Sequence, residues 1–496
     1  MHFTLNERTI HMKKSLVTWA LAAVPALLLS ACNGTTASGP SGVAPLPNTP
    51  AAAHHGRVRR NDNGTQDLHT GGADVPAYAY NLGDQPVGYY YNQQAGPGQG
   101  SLFYAAPTQG TIYYCLTSST DGRKAFEGSG DSAFPPTGPC AALGQTATGF
   151  GGRQDPLDFV GSAVAMPSTE YTLYKEYREP ASGTDWGEPF EFPQIGAPIV
   201  FGYRPQDFNN YVKDIKLSTW TYCAIANGTV SDWNDPAVTA DNGTSVTGGN
   251  SQTITFYFRA DSAASTYNFV NHLNTACNGT WQAPYNKAPY QGTSRTAEWS
   301  YGVSSSWPGP GSTNYPNANF IGATGDPGIL EGIQTTAYST GYVVGGYVKA
   351  NPKVGQALLQ NGIAHKKPIW VNPTNHSAVA DAFKKVTAAD IDYGEGSDEQ
   401  PLGTSAPWCV LYVDYKYYVN PPAKAYPIVA LSYLLFYGQN NGVHLSDKIA
   451  LIKFLESAPA QKIVNKLEYV SLSKSIQTAA LAALNGNGGS QPACVQ

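Results

Sequence analysis

The chain has 496 residues, 42% of them hydrophobic and 13% charged, with a formal charge of −5. That length and apolar content suffice for two ordinary domains or one bilobed one, and the acidic balance, with no basic block after the leader beyond "RVRR" at 57–60, argues against a nucleic-acid partner. The 52 glycines, 36 prolines and 32 tyrosines fit a loop-rich extracellular protein.

The run "MKKSLVTWALAAVPALLLSAC" from Met12 to Cys32 has two lysines, an apolar stretch too short to span a bilayer comfortably, and a small residue before its cysteine. It reads as a secretory signal, placing residues 1–31 in the leader. Its end, "LSAC", resembles a bacterial lipobox, which implies acylation of Cys32 and a lipid-anchored, exported protein. Asn33 rather than Asp after that cysteine favours the outer membrane by the usual bacterial sorting pattern. Residues 32–69 are rich in Gly, Ser, Pro, Ala and Thr and read as a flexible tether. No later segment has 18 uninterrupted apolar residues, so no spanning helix is expected.

Setting Cys32 aside leaves six cysteines, an even number suited to an oxidising compartment. Six allow fifteen pairings, and loop closure favours near neighbours: Cys115–Cys140, Cys223–Cys277 and Cys409–Cys494. There is no CxxC and the nine histidines are scattered, so neither a metal nor another cofactor is expected.

From about 74 to 165 strand formers alternate densely with turn residues, including "GYYYN" and "TIYYCLT", which read as strands with one buried aromatic face. "APIVFGY" (197–203) is a continuous apolar run suited to a strand covered on both faces. "DIKLSTWTYCAIANG" is helix-like, "TITFYF" strand-like and "TYNFVNHLNTA" helix-like, an order that implies a parallel α/β layer. Residues 282–318 are Gly/Pro/Tyr-rich and read as an irregular insertion. In "ATGDPGILEGIQTTA", Asp326 is a plausible N-cap with Pro327 at the first helical position. "TGYVVGGYV" (340–348) reads as another buried strand, and the last third, with "YPIVALSYLLFYG" and "HLSDKIALIKFLES", ends on helical patterns.

Between "TITFYF" and its following helix lies "RADSAAST" (259–266). By itself it reads as a helix N-cap on Ser262 or Asp261 with an arginine in a surface ion pair. Other segments change that reading. "GGADVPAYAY" (71–80), "SSTDGRKAF" (118–126), "FVGSAVAM" (159–166), "GTVSDWNDPAV" (228–238), "RADSAAST", "GDPGILEGIQTTAYSTGYV" and "YPI" (426–428) resemble, in order, motifs of the phosphate-binding proteins of the phosphate ABC transporter, in particular their DING-type relatives. The resemblance spreads over roughly 70–440.

It implies an α/β fold of the class II periplasmic-binding-protein type, two lobes joined by two crossing strands with a ligand cleft between them. Lobe 1 would combine 70–197 with 349–496 and lobe 2 would be 198–348, the crossings lying near 198–204 and 340–348. It implies a monomer that captures phosphate or a related oxyanion, a partner ABC permease, and a site formed by Arg259, Asp261, Ser119, Ser162, Ser265, Ala264 and Asp74. Four positions depart from the family's pattern in chemical character. Asp74 stands where the family has a phosphate-binding Thr, Ala263 and Ala264 replace Ser-Gly, and Ala163 replaces an Asp.

Both alanines keep their backbone N–H, and Arg259 offers a fork that fits two anion oxygens. Ala163, however, cannot accept the proton that phosphate carries near neutral pH and sulfate lacks. Asp74 is the residue that could supply this acceptor. Leaving buried partners unmatched costs roughly 1–3 kcal/mol each.

Two other function classes have less in the sequence. "GDSA" (130–133) and "GSAV" (161–164) are not GxSxG, and His272, His365, His376 and His444 read as structural or solvated, so no enzyme is expected. A cell-surface interaction protein on the same scaffold, with a lost or altered ligand, would use the insertions at 81–110, 170–193 and 282–318. The five Asn-Gly-Thr triplets read as Asn-Gly turns.

Overall fold

Apolar runs of the sequence become neighbouring strands of a single sheet. The computed structural model describes residues 67–83, 94–128, 157–179, 185–277, 297–364, 367–393, 408–486 and 491–496, all within the unit that runs from Arg59 to Gln496. The leader with its lipobox and Cys32, most of the tether, Cys140 and His365 lie outside them.

Among the described residues the sheet has eleven strands. Nine of them are β1 (Leu68–Gly72), β2 (Gln94–Ala95), β3 (Ile112–Leu116), β4 (Phe159–Ser162), β5 (Phe190–Tyr203), β6 (Thr255–Arg259), β7 (Phe320–Ala323), β8 (Ser339–Val344) and β9 (Val429–Phe436). They lie side by side in the order β2-β3-β1-β4-β9-β5-β8-β6-β7. At one end β1 runs parallel to β3 and β4, and at the other β6 runs parallel to β7 and β8. Parallel pairs need crossovers; α1 (Ser119–Glu127) leads from β3 toward β4, α2 (Ser168–Arg178) and α3 (Thr219–Ala226) follow, and α4 (Ala264–Ala276) and α5 (Gly325–Thr335) flank β7.

Both parallel ends meet on β5. Its first part pairs antiparallel with β9 as far as Val429↔Pro198, and its last part pairs with β8 from Ile199↔Val344 onward. All 14 of its positions are buried, so both faces are covered, as the continuous apolar run "APIVFGY" implies. Mixed pairing and covered faces make this an α/β fold.

Several local readings change. The stretch 74–165 is not strands alone. It holds α1, because "STDGRKAFE" is capped by Ser118, which accepts from Asp121 N–H, and is closed by left-handed Gly128. "VALSYLLF" is β9 and not a helix, a case that period alone does not decide for an uninterrupted apolar run. "HLSDKIALIKFLES" does give a helix, Leu445–Leu455. The strand at 340–348 ends at Val344, and Gly345–Lys349 is a short helix. Trp233 is buried edge-on against Phe208 and donates its Nε1–H to the Tyr338 carbonyl at 2.7 Å. From 297 to 319 the chain is irregular, yet Trp307 is buried and stacks on Phe256 and Phe258.

Cys223–Cys277 and Cys409–Cys494 form as expected. Cys115 is disulfide-bonded too, its expected partner lying outside the described residues. His272 is buried between the Tyr222 hydroxyl and the Val419 carbonyl, at 2.9 Å from each, and burial pushes its pKa down to about 4. It is a structural histidine. No helix among the described residues is long and apolar enough to cross a membrane.

Asp158 ties the Leu445–Leu455 helix to the sheet. It accepts the His69 N–H at 2.7 Å and faces His444 and, at 3.3 Å, Lys448. Burial alone would raise its carboxyl, but Lys448, His444 and the His69 N–H outweigh it and hold it at about 2. A depressed carboxyl stabilises above its ordinary value, and that contribution is lost as pH falls from there through about 2. Asp158→Asn leaves two buried bases without their counter-charge and is expected to cost about 3–5 kcal/mol at neutral pH. The cost should shrink toward acid in pH-dependent urea unfolding.

Candidate functional site

The last residue of β6, Arg259, enters the interior and is fully buried. Its backbone N–H donates to the Tyr342 hydroxyl at 3.0 Å, and that hydroxyl meets Thr266 Oγ1 at 2.6 Å, which locks strand end to helix start. An ionised group there needs counter-charges close by. Three carboxylates converge on it. Asp261, two residues on, takes the Nε–H at 2.8 Å and the Nη2 group. Asp74 and Asp326 both face Nη1, the latter at 3.1 Å, with Ser265 Oγ also at 3.1 Å.

The carboxylates are held in turn by backbone donors. Asp261 accepts the Gly325 N–H, and Asp326 accepts the Val344 N–H, each at 3.0 Å. Asp74 accepts the Asp326 N–H at 3.3 Å, and its carbonyl accepts from the Tyr347 hydroxyl at 3.2 Å. One atom is left over: Asp74 Oδ1 is buried and has no hydrogen-bond partner.

Asp74 reaches the arginine because β1 ends on Gly72. That residue has φ of +118°, and a Cβ on it would lie 2.3 Å from the Gly161 carbonyl oxygen. Gly122 of α1 packs against the same spot, a Cβ there lying 2.7 Å from Gly72 Cα, so α1 sits close over the end of β1.

Burial, above all, drives the Asp326 carboxyl well above its ordinary range, and the Asp74 charge adds to this; Arg259 and the Val344 N–H pull it down without winning. Burial and the Asp74 charge thus favour the neutral form of the Asp326 carboxyl. Burial works against the Arg259 charge, but Asp74, Asp261 and Asp326 hold it firmly protonated.

The remaining expected residues fall around this cluster. Ser119, the first residue of α1, accepts the Ala163 N–H at 3.0 Å. Ser162 is turned to Arg123, whose Nη1 donates to its Oγ at 2.9 Å. Arg123 is also paired with Glu170 through Nε at 2.6 Å. Ala264 opens α4. The N-cap of that helix is Ala263, which has no side chain to cap it, so neither Ser262 nor Asp261 is the cap. Asp261 is drawn off by Arg259, and Ser262 bonds Ser305 Oγ at 2.9 Å and meets Thr120 Oγ1 at 3.2 Å. The α4 N-terminus thus presents its first N–H groups with no side-chain acceptor of its own.

Two expectations need correction. Asp326 does not cap α5: the N-cap is Thr324, and Asp326 lies in the first turn with its carboxyl turned inward. The Arg259 fork made by Nε and Nη2 is directed at Asp261 and not at a ligand. Sequence reading missed Asp326 as a site residue, and also Asn268, which donates to the Ala163 and Ala264 carbonyls, both at 2.9 Å. Only the acid in the first turn of the "GDPG" helix hinted at the former.

Comparison with known proteins sets this geometry in a lineage. A sequence profile described as a PBP superfamily domain matches residues 117–456. Phosphate-binding protein PstS3 of Mycobacterium bovis is 27% identical over 214 residues, which are 41% of this chain and 56% of that protein. PstS of Methanocaldococcus jannaschii is 25% identical over 268 residues, 53% of this chain and 57% of that one. The chain thus spans little more than half the length of these relatives. Among solved structures, a DING protein aligns over 86% of this chain and 96% of its own with TM-score 0.56 at 16% identity, and a phosphate-binding protein from Stenotrophomonas maltophilia over 85% and 94% with TM-score 0.54 at 17%. At such identities these two speak for the fold alone.

The cluster makes a contrast between two substitutions. Arg259→Met leaves carboxylates buried without a counter-charge and is expected to cost about 3–5 kcal/mol. Asp326→Asn replaces a carboxyl that burial and Asp74 push toward its neutral form by a neutral donor of the same shape. A raised carboxyl stabilises fully below its ordinary value of 3.8 and loses that contribution as pH climbs through its folded value. The asparagine variant should therefore gain on the wild type as pH rises above the ordinary carboxyl value of 3.8, read as the difference in urea unfolding free energy.

Proposed function

The chain belongs to the PBP superfamily, and from that premise we propose that it is an exported solute-binding protein that captures phosphate at the Arg259 cluster. The lobes are 70–197 with 349–496, and 198–348, and the anion is taken between them. The leader and Cys32 make it a lipid-anchored lipoprotein, with the outer membrane favoured. It works as a monomer, delivers to an ABC permease, and has no catalytic step.

The observation that carries this reading is the vacant acceptor, Asp74 Oδ1, among donors. The ligand oxygens would take the first N–H groups of α4, Ser119, Ser265 and the Nη2 hydrogen of Arg259 that does not face Asp261. Phosphate carries a proton near neutral pH and donates it to Asp74, whereas sulfate has none and meets a carboxylate that repels it. The acceptor absent at Ala163 is thereby supplied from position 74.

A second reading has its own support. Three carboxylates already surround Arg259, so the cluster would also serve as a purely structural keystone in an interaction protein with a lost or altered ligand.

Calorimetry separates the two. Wild type should release heat with phosphate and not with sulfate. A charge-assisted hydrogen bond contributes about 1.5–3 kcal/mol, so Asp74→Asn, verified as folded, should bind phosphate at least about tenfold more weakly and narrow the gap to sulfate. Folded wild type giving no heat with either anion at millimolar concentration would sink the phosphate reading.

A further inference from the structure

A cavity of about 520 Å³ lies beside the Arg259 cluster and apart from it. None of the four charged residues of the cluster lines it, and neither does Ser119 or Ser265. Helix α4 shows why. Ala264, Tyr267 and Asn271 line the cavity, and their spacing of three and then four puts them on one face of that helix. Ser265, turned by about 100° from Ala264, meets Arg259 Nη1 at 3.1 Å instead. A second wall is built in the same way: Thr120 and Arg123, three apart on α1, line the cavity, while Ser119 turns to the Ala163 N–H. The two helices thus serve the cradle with one face and the cavity with another.

We propose that this cavity is a second binding site and that it takes a neutral sugar of one or two rings. The inference stands without the phosphate reading, and its volume falls in the range of small-molecule sites, about 300–1,000 Å³. Neutrality follows from the wall. Among the described residues that line it there is no carboxylate, so an ammonium finds no counter-charge. Its guanidinium, Arg123, is already paired with Glu170 through Nε at 2.6 Å and Nη2 at 3.2 Å, so an anion would meet the Glu170 charge behind it.

Hydrogen-bonding capacity is left over on several sides. Arg123 turns Nη1 to Ser162 Oγ and to the Val164 carbonyl, which leaves one Nη2 hydrogen unused. Ser304 Oγ accepts the Ser306 N–H at 3.0 Å and Ser305 Oγ accepts from Ser262 Oγ at 2.9 Å, so each keeps its own hydrogen to donate. Asn271 donates its amide to the Tyr267 carbonyl at 3.1 Å, which leaves its side-chain oxygen as an acceptor. Arg123 and Asn271 are both more than nine-tenths buried, so a ligand meets them in fixed positions. Hydroxyl groups match such a set, because each can both accept and donate. The apolar part of the wall agrees. Tyr267 and Tyr415 stand edge-to-face, with centroids 6.4 Å apart and planes at 84°. Parallel rings would clamp a flat base, whereas rings at right angles form a corner against which the C–H face of a sugar ring packs.

The test is calorimetry of the whole protein with glucose, N-acetylglucosamine and maltose, on wild type and on two variants verified as folded. Val303→Trp fills the cavity from a rim position that is 39% exposed, and Asn271→Leu removes the acceptor at similar volume. At least one of the three sugars is expected to bind wild type with a dissociation constant below millimolar. Val303→Trp should abolish that heat, and Asn271→Leu should weaken it by about tenfold. Saturating phosphate should leave sugar binding unchanged. No heat with any of the three sugars at millimolar concentration would overturn the inference, as would sugar binding that survives Val303→Trp or that phosphate competes away. A protein that binds a sugar and not phosphate would keep this inference and lose the phosphate reading.

Discussion

A guanidinium cannot be taken out of water alone, and the burial of Arg259 organises the rest of the site. Its counter-charges come from three separated places in the chain: Asp74 after β1, Asp261 in its own loop and Asp326 at the start of α5. Drawing them together brings the parallel end that contains β1 against the one that contains β6. One arginine cannot balance three full negative charges in a dry interior. The raised Asp326 carboxyl eases the imbalance, with burial as its main cause and Asp74 as the second.

Much of this is legible in the sequence. Arg259 and Asp261 are two apart at a strand end, a spacing at which a carboxylate meets its own arginine, and "APIVFGY" announced a strand covered on both faces. What was not legible was direction. The first turn of α5 puts an acid where a cap and an inward ligand to arginine read alike, and only the neighbours decide between them. Period failed for a related reason at β9, where an apolar run with no polar face has no phase to read. Between β3 and β4 the short, polar α1 declared itself by its Ser118 cap and Gly128 stop more than by its pattern.

The alanines of "RADSAAST" illustrate how a fold replaces what a side chain no longer provides. Ala263 brings no cap to α4, but its own N–H donates to the Ser305 carbonyl at 2.9 Å. Ser262 reaches the same loop through Ser305 Oγ. The irregular segment from 297 onward is therefore the outer support of the cradle, held in place by Trp307 on the aromatic face of β6.

The Cys223–Cys277 bridge gives the opposite end of that helix a different mechanical status. Cys277 follows directly on Ala276, the last residue of α4, and the bond joins it to α3. Thirteen helical residues rising about 1.5 Å each set the weld roughly 20 Å from the cradle. A rod clamped at its far end and loaded at its tip cannot slide along its axis. It can only pivot, so any displacement imposed on the cradle reaches the remainder of the molecule as an angle.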